Sequence, residues 1–173
     1  MRRPTLGMLA ALAATLAMTG CALDGALRDS RTIENDVAEL HALIESLEVC
    51  TNEEVSSATP VETIDPAAGQ YGVFRGRLGL GEVVCTAMAC SDRACCNGCG
   101  GTLALSSEGS EAVPFTDAMG GTTYALGATD CSVEKMRELA NDTEVVVRGR
   151  FEAAVWPDLK LSVEHLCRIA SRP

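Results

Sequence analysis

The sequence predicts a mainly β fold with one helix of its own, preceded by an N-terminal amphipathic helix. Three observations predict it. Apolar and charged residues alternate in "YGVFRGRL" (71–78) and "TEVVVRGRFEAA" (143–154), the period of a strand exposed on one face. Short apolar runs elsewhere between 71 and 171 are separated by Gly, Pro, Asn and Asp, the residues that close turns. Helical spacing stands out in two places, around 33–47 and 133–140.

From Ser30 to Val49, the apolar residues Ile33, Val37, Leu40, Ile44 and Leu47 recur at steps of four, three, four and three. That spacing makes one stripe on a helix roughly 30 Å long, with Glu34, Asp36, Glu39, Glu45 and Glu48 mostly off it. The stripe serves either as a short coiled-coil seam, giving weak self-association, or as a docking face for the domain that follows. Docking is expected, because so short a seam is marginal. Residues 51–70, "TNEEVSSATPVETIDPAAGQ", are polar, carry Pro60 and Pro66, and show no sustained period, so they read as a linker.

Residues 71–171 make one domain of about a hundred residues, enough for a modest core. Its first strand is "YGVFRGRL", with Phe74 and Leu78 on one side and Arg75 and Arg77 on the other. "EVVCTAMAC" continues or pairs with it after Gly79 and Gly81, and "GTLALSSEG" and "AVPFTDA" are further short strands. Ser132 is the expected N-cap of a helix whose apolar face is Val133, Met136, Leu139 and Ala140. Two strands follow, "TEVVVRGRFEAA" and "LKLSVEHLCRI", joined by a turn at "WPD". Strands, one helix, then two strands, with a glycine inside the first and the penultimate strand, resembles the OB-fold. The resemblance implies a small antiparallel barrel whose helix crosses one end, the glycines allowing sharp strand coiling.

The first twenty residues predict an address. Arg2 and Arg3 precede an uncharged Ala- and Leu-rich stretch, Leu6 to Met18, which is shorter than the roughly twenty residues that span a bilayer. Residues 1–20 therefore read as a removable export signal. The stretch "MTGCAL" around Cys21, with Met18 where Leu is usual, resembles the lipobox of bacterial lipoproteins. That resemblance implies cleavage before Cys21, acylation of its thiol, and a mature chain held on a membrane by fatty-acyl groups at about 0.8 kcal/mol per buried methylene. Ala22 and Leu23 stand where retention in the inner membrane usually requires Asp, so the outer membrane is favoured. Residues 21–50 then form the lipidated N-terminus and its helix.

The formal net charge is −10, and loss of Arg2 and Arg3 with the signal makes the mature chain more negative still. Such a chain repels nucleic acid and anionic headgroups, which leaves the acyl anchor to hold the membrane. No nucleic-acid partner is expected; the expected partner is an envelope protein or surface polymer.

Nine cysteines are present. Setting aside Cys21 leaves Cys50, Cys85, Cys90, Cys95, Cys96, Cys99, Cys131 and Cys167, an even set for an oxidising compartment, so disulfides are expected. The neighbours Cys95 and Cys96 are expected to tie their loop to two different places, with Cys131 and Cys167 as natural distant partners. The full connectivity is open. Two alternatives attach to the Cys85 to Cys99 cluster. A thiophilic metal prefers two C-x2-C turns; only Cys96 to Cys99 has that spacing, Cys85 and Cys90 being separated by four residues, with His165 as the further ligand on offer, and no metal is expected. Thiol exchange at "CNGC" would need a helix N-terminus or a cation to lower a thiol pKa, and "GGTLAL" follows instead.

Other chemistry is thinly supplied. The histidines are His41 in the acidic helix and His165 in the last strand, and no nucleophile elbow or P-loop is present. No catalytic residue and no cofactor is expected. "RGR" occurs twice, giving Arg75, Arg77, Arg148 and Arg150. If the two strands pair, these four form an anion-binding face for carboxylates or phosphates; the plainer use is cross-strand pairing with Glu82, Glu144 and Glu152. The sequence thus predicts a lipid-anchored envelope protein acting as a non-enzymatic binding or structural module.

Overall fold

A computed structural model describes residues 31–87, 95–107, 112–117, 125–154 and 159–170. The signal, Cys21, Cys90 and the "WPD" turn lie outside these residues. Helix α1 covers 31–46. It is followed by β1 (Glu48–Val49), α2 (Asn52–Ser57), β2 (Thr59–Pro60) and a 3-10 turn at Val61–Thr63. The strands β3 (Tyr71–Leu80), β4 (Val84–Cys85), β5 (Gly98–Ser106), β6 (Val113–Asp117) and β7 (Ala125–Thr129) come next. Helix α3 (Val133–Asn141), β8 (Glu144–Ala153) and β9 (Leu159–Arg168) complete the order.

Among the described residues, the nine strands belong to one sheet. β3 runs antiparallel to β8, from Tyr71 opposite Arg150 to Arg77 opposite Glu144; β8 is antiparallel to β9, and β9 parallel to β6. β6 is antiparallel to β5, and β5 returns to pair antiparallel with β3 at Arg77–Leu80. The sheet is therefore mixed, which corrects the antiparallel expectation. α3 and β8 intervene between β6 and β9, so β9 arrives beside β6 by a crossover, and a crossover allows parallel strands where a hairpin does not.

The alternation seen in the sequence decides which side chains face inward. Phe74 and Leu78 of β3, Val145, Val147 and Phe151 of β8, and Leu161, Val163 and Leu166 of β9 share one core with Leu103, Leu105 and Phe115. Phe74 and Phe151 meet with ring centroids 4.9 Å apart and a 56° tilt, a favoured aromatic geometry. Among the described residues, the backbone leaves least room at two glycines. A Cβ on Gly149 would sit 2.2 Å from the Ser162 carbonyl oxygen, and one on Gly76 2.8 Å from that of Ser106. Gly149 also borders the irregularity that shifts the β8–β9 register, so it lets the strand bend where a side chain would collide.

Residues 51–70 are not a free linker. Thr51 and Glu54 form a capping box at the start of α2, β2 pairs in parallel with β3, and Ala58 and Val61 are buried. The polar composition concealed short elements whose few apolar side chains lie against the sheet. The α1 stripe docks in the same way: Leu40 and Ile44 join the main core, with Val37, Leu43 and Leu47 packed on it.

The start of α3 also differs from expectation. Ser132 is the N-cap but makes no capping bond to the helix; its hydroxyl donates to Asp36 Oδ2 and lies 2.9 Å from the Thr129 carbonyl oxygen, the other acceptor in its reach. Asp36 on α1 also accepts from the Thr129 amide and hydroxyl. A carboxylate distant in sequence thus organises the turn entering α3.

Candidate functional site

The four arginines lie on one face of the β3–β8 pair, as predicted, but in two settings along it. In the β3–β8 register Arg148 lies opposite Val73 and Arg150 opposite Tyr71, whereas Arg75 lies opposite Val146 and Arg77 opposite Glu144. The two motifs are thus displaced along the antiparallel pair, and the docked α2–β2 segment comes to lie beside it.

Arg75 and Arg77 line a polar cleft of about 360 Å³ with Glu62, Glu144, Gly76 and Ser106. The cleft exists because β3 changes its neighbour there: β2 pairs at Phe74 and Arg75, and β5 takes over at Arg77. Arg77 donates from Nη1 to the Asn141 carbonyl at the end of α3, 3.2 Å away. Among the described residues no ion pair joins Arg75, Arg77, Arg148 or Arg150 to Glu82, Glu144 or Glu152, so the expected cross-strand charge pairing is not observed there.

Arg148 lines a second cleft, of about 290 Å³, with Glu53, Glu54, Val73, Val146 and His165. His165 Nε2 lies 3.1 Å from Glu54 Oε1, both side chains being half-buried. The other carboxylate oxygen, Glu54 Oε2, accepts from the Thr51 amide at 2.7 Å and hydroxyl at 2.8 Å. The Thr51 backbone bond is the main reason the Glu54 carboxyl titrates below its ordinary value, with the Thr51 hydroxyl and His165 adding to it. The segment read as a linker therefore supplies one wall of this cleft. The capping box Thr51 to Glu54 was the available sequence signal for it. Arg150 instead lies over the Tyr71 ring, 5.7 Å from its centroid, and the Tyr71 hydroxyl donates to Glu164 at 2.8 Å, the bond that chiefly raises the tyrosine pKa.

Three disulfides join described residues: Cys50 to Cys167, Cys85 to Cys99, and Cys95 to Cys131. Cys96 is disulfide-bonded as well. Cys85 and Cys99 face each other directly across β4 and β5, and Cys95 ties its loop to the turn before α3. Cys95 and Cys96 are not joined to one another, as strain between neighbours predicts. Cys167 pairs with Cys50, not with the loop, because β1 lies beside β9 with Glu48 opposite Cys167. The "CNGC" thiols are likewise separate, Cys99 being bonded to Cys85. His41 is exposed on α1. No helix among the described residues is long and apolar enough to cross a membrane.

Compared with known proteins, the chain matches no family model and no curated protein. The arrangement of its own side chains is therefore what a functional reading rests on.

Proposed function

We propose that this chain is an exported bacterial envelope protein, anchored through acylated Cys21, whose domain is an OB-type barrel acting as a non-enzymatic binding module. The barrel reading is supported by five strands, β3, β8, β9, β6 and β5, whose pairings return to the strand they started from, and by the glycines at the tightest approaches. Export is supported by the charge and apolar run of residues 1–20 and by at least seven cysteines in disulfides. The outer membrane is the favoured location.

The single observation carrying the binding reading is the β3 edge cleft. Arg75 and Arg77 line a cavity of about 360 Å³, within the range of small-ligand sites. Guanidinium groups match carboxylates and phosphates by parallel hydrogen bonds. The ligand is an anionic group on a surface polymer or partner protein, attracted locally although the chain as a whole is acidic.

Binding of the purified mature chain to immobilised anionic envelope polymer tests this. The double variant Arg75→Ala/Arg77→Ala is expected to lose binding and Arg148→Ala/Arg150→Ala to keep it; equal retention by both overturns the cleft assignment. The anchor is tested separately by fatty-acid labelling in cells, which Cys21→Ser is expected to abolish.

A further inference from the structure

Beside the second cleft, at its Glu54 and His165 wall, lies a grouping that the anion reading does not use. Sγ of Cys167, a ring nitrogen of His165 and a carboxylate oxygen of Glu54 lie within 4.8 Å of one another; Sγ of Cys50, bonded to that of Cys167, stands outside this group of three in the oxidised chain. A tetrahedral ion holding such ligands at about 2.0–2.3 Å spaces them about 3.3–3.8 Å apart. The His165 to Glu54 distance of 3.1 Å is just under that spacing, and Cys50 joins as the fourth ligand by turning its side chain towards the other three once the S–S bond is cleaved. Among the described residues no other group of three such ligands occurs.

We infer that Cys50, Cys167, His165 and Glu54 form a redox-gated site: a disulfide when oxidised, and a two-thiolate, imidazole and carboxylate site for zinc or a similar thiophilic divalent ion when reduced. The conversion needs a dithiol. The dithiol passes two electrons and two protons to the Cys50–Cys167 bond, becoming a disulfide itself and leaving two thiols. The ion then displaces both thiol protons to solvent and is bound by two thiolates.

Four features prepare the site. The backbone holds both cysteines in place without the S–S bond, since Cys50 N–H donates to the Arg168 carbonyl at 2.9 Å and β1 pairs with β9. Thr51 holds Glu54 Oε2 and leaves Oε1 turned towards His165, an outer contact that orients a ligand. The cleft of about 290 Å³ beside Glu54 and His165 gives an ion a way in. Two thiolates and a carboxylate exceed the charge of a divalent ion by one, and Arg148, opposite His165 in the strand register, lies on the cleft wall to offset it.

The test is site-resolved alkylation. The mature chain is reduced with dithiothreitol, desalted without oxygen, incubated with or without zinc, alkylated briefly, and mapped by mass spectrometry. Zinc is expected to slow alkylation of Cys50 and Cys167 while leaving Cys85, Cys99 and Cys131 unprotected. His165→Ala and Glu54→Gln are expected to lose that protection while still forming the Cys50–Cys167 disulfide on reoxidation, which shows that the variants fold. Cobalt added instead of zinc is expected to give a thiolate charge-transfer band that His165→Ala diminishes. Protection absent, spread equally over all cysteines, or unchanged in His165→Ala overturns the site.

Discussion

The two halves of β5 show two ways of holding the same strand. Its C-terminal half, Leu103, Ala104 and Leu105, is fully buried between β3 and β6. Its N-terminal half, Gly98 to Gly101, pairs with β4 and β7, buries only Cys99, and has glycine at three of its four positions. The first half is held by apolar packing. The second has too few side chains for that and is crossed instead by the Cys85–Cys99 disulfide, with Cys95–Cys131 fixing the chain just before it. Sulfur is concentrated where burial is thin, as expected when a domain's core cannot reach all of its sheet.

The sharpest way to break this comparison is to remove packing from the first half's surroundings. Phe151→Ala, at a fully buried ring against Phe74, is expected to cost about 3–5 kcal/mol and to lower a single cooperative thermal transition. Removing Cys95 and Cys131 together releases a constraint across 36 residues, worth up to about 4 kcal/mol on chain-entropy grounds. Its signature differs: hydrogen exchange should accelerate in β4, β7 and Gly98–Gly101 while β3 and β8 keep their protection. Equal loss of protection in β8 would show that the two halves are one cooperative unit.

Two smaller effects sharpen the picture of what shapes the packed region. Gly149→Ala places a methyl against the Ser162 carbonyl, and forcing the strands apart is expected to cost about 1–3 kcal/mol, read from denaturant midpoints. Asp36→Ala removes the acceptor for Thr129 and Ser132 and is expected to cost about 1–2 kcal/mol, with faster exchange in the first turn of α3. The smallest effect concerns pH. Because hydrogen bonds from Thr51 lower the Glu54 pKa, that carboxylate supports the folded state above its ordinary titration range, and the support fades as pH falls through the lowered value. The amide shifts of Thr51 and Glu54 should follow this acid titration in the native chain and lose it in Glu54→Gln.

Much of the fold was legible because it obeys local rules. Alternation marks β3 and β8 and their inward residues, the four-three spacing marks α1, and helical spacing marks Met136 and Ala140 on the buried face of α3. β7, "ALGAT", carries no strand signal in the sequence because it is short, small and scarcely alternating; pairing with β5 makes it a strand. Residues 51–63 escaped because helix, strand and turn there each last too few residues to set a period. The arginines were found, but their division between two settings depends on register, which a one-dimensional pattern does not carry.

By itself the sequence determined the strand-rich class, the inward faces, the acidic charge and the crowding of cysteines, since each follows from residue type and spacing within a few positions. Only the tertiary structure decided which cysteines meet, that β6 and β9 run parallel, and that Thr51, Glu54 and His165 gather beside the Cys50–Cys167 bond. Those partners are separated by up to 117 residues. What brings such distant atoms together is the burial of the whole core, a cooperative property with no local signature.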